Sequence, residues 1–218
     1  MFNWNLKSLD SCTTNLPHPE LVKRTRILVI DDEETAFPFE ILKNEGYSID
    51  HWLDISDLSK LERGFYDIVI LDIGGIGQKL DEDKEGIAVL EHIKRVNPSQ
   101  IVIAHSGQSY KSSKIPFFNL ADQFVPKPTP ALKWKEILDN VISTQISVSH
   151  YWESIKLLLS KEGATEKQIR KFEKIIIQAG NGKNTDIHKY IEGIIGSQNI
   201  ANIICLVVKL IELYPKGD

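Results

Sequence analysis

Between Arg26 and Gln145, short apolar runs alternate with stretches whose apolar residues recur at helical spacing. The runs RILVI, YSIDHW, DIVILDI, QIVIAHS and QFVPK are rich in β-branched residues and read as strands. Between them FEILKNEG, ISDLSKLERG, GIAVLEHIKRVNP and SYKSSKIPFFNLA read as helices, and ALKWKEILDNVISTQI follows the last strand. SYKSSKIPFFNLA is the least regular of these, because Pro116 would break a long helix. Gly46 and Gly64 stand where helices should stop, and Asn97-Pro98 closes another. Near-continuous apolar strands alternating with helices predict a doubly wound α/β domain with a five-stranded parallel sheet. Its sites lie outside the carboxyl ends of the strands.

From about Ser147 the pattern is helical throughout. Helices are predicted at His150 to Glu162, Thr165 to Ala179, Thr185 to Ile195 and Ser197 to Tyr214, with breaks at EGAT, AGNGKNT and IGS. Ile169, Phe172, Ile175 and Ile176 share one helical face, as a bundle core requires. The last apolar tract, IANIICLVVKLIEL, is interrupted by Asn202, Lys209 and Glu212 and is too short and polar to span a bilayer. It is either buried in its own bundle or part of a homodimer interface, and the pattern leaves both open. The expected organisation is an N-terminal extension (1–25), the α/β domain (26–145) and a smaller all-α domain (148–218).

Composition narrows the functional classes. With 42% hydrophobic and 26% charged residues among 218, the chain can bury a proper core. The net charge of -4 argues against a nucleic-acid protein overall. From Gln145 onward, however, ten basic residues face eight acidic ones, so DNA binding by the helical part stays open. Against it, AGNGKNT is long for the turn of a helix-turn-helix. Cys12 and Cys205 have no metal-like spacing, and a chain with only two cysteines suits a reducing compartment. No basic start followed by an apolar stretch marks the N-terminus as a secretory signal. A cytoplasmic protein with no membrane partner is expected.

The strand ends carry the chemistry. The first strand ends at Asp31 and Asp32, the third at Asp72, the fourth at Ser106 and the fifth at Lys127. A parallel sheet brings all these ends to one edge. Three carboxylates in one crevice would raise each other's pKa without a cation among them, and a hard ion with oxygen ligands, such as Mg2+, is the natural one. A carboxylate nucleophile, a hydroxyl, an ammonium and a metal around one point describe phosphoryl transfer through an acyl phosphate. The neighbouring Glu33 and Glu34 read as favourable charges at a helix N-terminus. The six histidines show no metal spacing and read as surface or structural, and GGIG from Gly74 reads as a flexible loop that lacks the ending of a phosphate loop.

With ILVIDDE, VILDI, IVIAHSG and FVPKP in this order, residues 26–145 resemble the CheY-like receiver domain of two-component response regulators, a flavodoxin-like fold. The resemblance implies that Asp72 accepts a phosphoryl group from a histidine kinase, a phosphotransfer protein or a small phosphodonor. It implies Mg2+ held by Asp32, Asp72 and the backbone carbonyl of Gly74, with Asp31 helping through water. Ser106 would be the switch hydroxyl, Phe124 the aromatic switch, Lys127 the partner of the phosphoryl oxygens, and Lys127-Pro128 a cis peptide. Such a protein is a phosphoacceptor and no enzyme beyond its own phosphotransfer and dephosphorylation. Its helical domain would pass the signal on by contact with a downstream protein or by dimerisation.

The chain departs from that pattern in places. The loop GGIGQKLDEDKEG is longer than the family norm and lacks its Met-Pro element; its acidic run Asp81 to Glu85 is either a solvated loop or a partner-specific lid. Gly74 and Gln108 occupy the positions that tune dephosphorylation, and a glycine offers no side chain there. Two rival readings remain: a DNA-binding transcriptional regulator acting through the helical domain, and a haloacid-dehalogenase-type phosphatase. The latter would need Asp-x-Asp on the first strand, where residue 33 is Glu, and would leave Asp72 without a role.

Overall fold

The computed structural model describes residues 8–10, 12, 16–107, 119–180, 183, 185–194 and 200–213. They form two compact units: Pro19–Ile142, and a second built from both chain ends, Met1–His18 with Ser143–Asp218.

The first unit contains α1 (His18–Arg24), β1 (Arg26–Ile30), α2 (Phe39–Asn44), β2 (Ser48–Trp52), α3 (Leu58–Glu62), β3 (Ile68–Asp72), α4 (Gly86–Val96), β4 (Ile101–Ser106), β5 (Gln123–Pro126) and α5 (Ala131–Gln145). The strands form one parallel sheet in the order β2-β1-β3-β4-β5. This is the five-stranded doubly wound α/β fold expected from the pattern. The central strands β3 and β4 are buried at every position, whereas β2 at the edge is partly exposed, because only the centre of such a sheet is covered on both faces. The chain runs from β1 out to β2 and returns past β1 to β3, so the switch in direction lies between β1 and β3. The register pairs Ile30 with Leu71, Asp72 with His105, and Ser106 with Pro126, which aligns the carboxyl ends of β1, β3, β4 and β5.

The helix stops fall at Gly46, Gly64 and Asn97 as read from the sequence. One helix start differs. Glu33 and Glu34 do not open α2, which begins at Phe39 after Pro38. A proline disfavours helical backbone in the residue before it, so Pro38 sets the boundary and the glutamates lie in the preceding turn. The helix expected over 109–121 falls largely outside the described residues, as does Gln108.

The second unit holds α6 (Val148–Lys161), α7 (Glu166–Gly180), α8 (Ile187–Glu192) and α9 (Ile200–Glu212). Local rules account for its helix starts. Ser147 accepts from the His150 N–H, Asp186 from the Lys189 N–H, and Thr165 exchanges bonds with Gln168 in a capping box. Phe172 and Ile176 of α7 are fully buried. On α9, Ile203, Leu206, Val207 and Leu210 are buried within this unit, which accounts for most of the apolar face left open by the sequence pattern. The N-terminal segment also packs here. Leu9 is fully buried, its N–H and the Ser8 hydroxyl both donate to Glu173 Oε1 at 2.7 Å, and Lys156 pairs with Asp10. Among the described residues no helix is long and apolar enough to cross a membrane.

Candidate functional site

Two adjacent aspartates follow β1, and the sheet gives them different surroundings. The Asp31 N–H bonds to the Trp52 carbonyl on β2, and its own carbonyl accepts from His51 Nε2 at 2.8 Å. Held in this way, the Asp31 side chain is only 1% exposed, while Asp32 faces solvent. Asp72 is the last residue of β3; its Oδ1 accepts the N–H groups of Ile73 (2.6 Å) and Gly74 (3.3 Å). Lys127 directly follows β5, with its N–H on the Ser106 carbonyl and a cis peptide to Pro128. Its Nζ donates to Asp31 Oδ1 at 2.8 Å and to Asp72 Oδ2 at 2.7 Å. One ammonium therefore ties together the ends of three strands.

The electrostatics follow from this contact. Burial alone would raise the Asp31 carboxyl, but His105, the Lys127 ammonium and the Glu33 N–H outweigh it and hold the group below the usual carboxylate range. Burial alone would lower Lys127, yet Asp31 and Asp72 push its ammonium above the ordinary lysine value. Asp31 Oδ2 lies 2.7 Å from Nζ but off the line of a hydrogen bond, so charge rather than a directed bond holds it.

The donor set fits a small hard cation. Asp31, Asp32 and Asp72 each offer one oxygen within 4.8 Å of the others, a spread that one ion and its waters can bridge. Three carboxylates against one ammonium leave two negative charges, the charge of one divalent cation. Two glycines pack tightly around these residues: a Cβ on Gly75 would lie 2.6 Å from Asp32 Oδ2, and one on Gly86 would lie 2.4 Å from the Asp72 carbonyl oxygen. Glycine at these positions lets the long loop close against the Asp32 carboxylate at one end and the backbone that follows β3 at the other.

That loop is better anchored than its glycines suggest. The GGIG stretch read as flexible is held at both levels: Ile76 is fully buried in the core, and the Gly77 N–H donates to Asp54 Oδ1 at 2.7 Å. Burial of one isoleucine side chain and a bond to a charged acceptor outweigh the freedom of the glycines. The acidic run folds into an exposed turn in which Asp81 Oδ1 accepts from Asp83 and Lys84.

Of the residues singled out from the sequence, Asp31, Asp32, Asp72 and Lys127 meet in one cluster. Ser106 is buried at the end of β4 beside them in the register, Gly74 follows Asp72 in the loop, and Phe124 is half-buried on β5 against the central core. Two of the histidines that read from the sequence as surface or structural lie at the site. His51 bonds to the Asp31 carbonyl, and His105, fully buried in β4, stands with Nδ1 3.5 Å from Asp31 Oδ2. The available signal was a lone imidazole inside the otherwise apolar IVIAHS, which metal-ligand spacing along the chain does not detect.

No family model and no curated protein matches the sequence. Among solved structures the chain is similar to a CheY-like response regulator receiver domain protein from Methanospirillum hungatei JF-1, with 26% identity over 54% of this chain and 93% of that one, at a TM-score of 0.45. It is also similar to the receiver domain of NtrX from Brucella abortus, with 25% identity over 54% of this chain and 98% of that one, at a TM-score of 0.42. The longer NtrX from Brucella abortus, solved in complex with ATP, matches at 22% identity over 71% of this chain but only 34% of its own, at a TM-score of 0.45. With TM-scores below 0.5, these likenesses leave the functional reading to rest on the geometry of the site.

Proposed function

We propose that the α/β unit is a receiver of two-component signalling, in which Asp72 accepts a phosphoryl group from a histidine kinase, a phosphotransfer protein or a small phosphodonor. The observation that carries this reading is the Lys127 ammonium, bonded at once to Asp31 and Asp72 inside a cluster of three carboxylates. Asp31, Asp32, Asp72 and the Gly74 carbonyl would hold Mg2+, whose bound charge supplies neutralisation of phosphoryl oxygens.

The chain's own groups divide the remaining work. Asp72 Oδ1 accepts from two backbone N–H groups, so Oδ2, which meets only the Lys127 ammonium, is the nucleophile. As Oδ2 forms its bond to phosphorus, the bond from phosphorus to the donor's nitrogen or oxygen breaks, and the electron pair leaves with the donor. The Lys127 Nζ, 2.7 Å from Oδ2, is then beside the transferred oxygens and pairs with them. The Ser106 hydroxyl supplies a further hydrogen bond to the phosphoryl group. Phosphorylation favours an active arrangement of the β4 and β5 edge, including Phe124, and the helical unit conveys it by protein contact or dimerisation.

Beryllofluoride, a phosphoryl mimic, tests the reading on the full chain. A bound fluorine resonance is expected in NMR with beryllofluoride and Mg2+ and should vanish in Asp72→Asn or on chelation. A resonance that persists in Asp72→Asn would overturn the assignment of the nucleophile.

A further inference from the structure

His105 is the one residue of the sheet interior that breaks the apolar rule without a hydrogen bond in return. Its side chain is fully buried in β4, and neither ring nitrogen has a hydrogen-bond partner among the described residues. Burying a polar group without a hydrogen bond is unfavourable, so an imidazole here needs a use. Its position is well defined. The ring stands edge-on to Trp134 of α5, centroids 4.9 Å apart, and Trp134 is itself fully buried against Phe37. Nδ1 points toward Asp31 Oδ2 at 3.5 Å, a few tenths of an ångström beyond a hydrogen bond.

Asp31 explains the arrangement. Its Oδ1 accepts from both Lys127 and the Glu33 N–H, but Oδ2 has only the off-line charge of Lys127 besides His105. If Lys127 turns to a phosphoryl group on Asp72, as proposed above, Oδ2 loses that ammonium. A buried carboxylate with one free oxygen could then rotate away from the metal position. We infer that His105 is a positioning residue: its ring donates from Nδ1 to Asp31 Oδ2 and keeps the carboxylate turned toward the cation. Carboxylate ligands are commonly fixed by such outer hydrogen bonds. Trp134 and the β4 backbone hold the ring in place, so the donor is set before the ion arrives.

The inference rests on the metal site proposed above, and its tests are separable from that reading. In the wild-type full chain, long-range nitrogen–proton NMR should find His105 with its proton on Nδ1 when Mg2+ is bound; a proton on Nε2 alone would overturn the proposal without touching the role of Asp72. Mg2+ titration by calorimetry provides the second arm. His105→Leu should weaken Mg2+ binding by about 10- to 100-fold, the usual effect of removing an outer partner. His105→Asn, whose amide nitrogen replaces Nδ1, should recover most of that loss. Thermal melts establish that each variant is folded, and the wild-type tautomer decides the matter if the leucine variant is not. Unchanged Mg2+ affinity in a folded His105→Leu, or no recovery in a folded His105→Asn, would refute the positioning role. Failure of the wild type to bind Mg2+ at all would instead refute the metal site beneath it.

Discussion

The two units of this chain differ in what their polar side chains are gathered for. In the helical unit polar side chains start helices and pin segments together: Ser147, Thr165 and Asp186 cap helices, buried Ser154 donates to the His150 carbonyl one turn back, and Glu173 accepts from Ser8 and the Leu9 N–H. In the α/β unit Asp31, Asp72, His105 and Ser106 are buried together at one edge of the sheet, where apolar side chains would fold more easily. No helix or strand needs them there. Residues that break local rules in company mark function, and those that obey them mark architecture.

Substitutions in the two units can sharpen or break this contrast. The largest effect is expected from Leu9→Ala, which should destabilise the helical unit by about 2–5 kcal/mol in urea unfolding, as other buried leucines do. Leu9 lies far from that unit in sequence, so a negligible change would mean that the N-terminal segment is no part of its core. Gly86→Ala should cost about 1–3 kcal/mol by overpacking, because its Cβ would press on the Asp72 carbonyl. Unlike Leu9→Ala, it should also weaken Mg2+ binding, since the Asp72 backbone has to shift. Thr165→Ala should cost about 1 kcal/mol through loss of a helix cap and leave Mg2+ affinity as it was.

The smallest effect near neutral pH is electrostatic and emerges only at the extremes. The Asp31 carboxyl is held below its ordinary value of 3.8, so its contribution is full above that value and is lost as pH falls through the lower folded value. The Lys127 ammonium is held above 10.5, so its contribution is full below that pH and is lost as pH rises through the higher folded value. In chelator, urea midpoints should therefore be flat between these limits and decline outside them. Lys127→Met should reverse the acid limb, since carboxylates without their ammonium repel one another and protonation relieves them. An acid limb unchanged in that variant would show that Lys127 is not their counterion.

The strand ends were legible because a parallel sheet converts sequence positions into one edge by a simple rule: each apolar run ends where a polar residue of the cluster begins. Asp31, Asp72 and Lys127 could thus be grouped although 96 residues separate the first from the last. Pro38 is an equally local signal for the start of α2, whereas the acidic residues Glu33 and Glu34, favourable at any helix N-terminus, point to an earlier start. The docking of Leu9 and Ser8 onto Glu173 was not legible, because no periodicity links segments 164 residues apart. His105 falls between these cases. Its polarity within IVIAHS was visible, but its contact with Asp31 is made by neighbouring strands and not by spacing along the chain.

The central claim is that three carboxylates and one ammonium form a metal-dependent phosphoacceptor site. Intact-mass spectrometry of the full chain incubated with acetyl phosphate measures it most directly. The expected result is one added phosphoryl group with Mg2+, mapped to Asp72 and released by hydroxylamine, with none in chelator and none in Asp72→Asn. Absence of any adduct with Mg2+, or an adduct that persists in Asp72→Asn, would contradict the account.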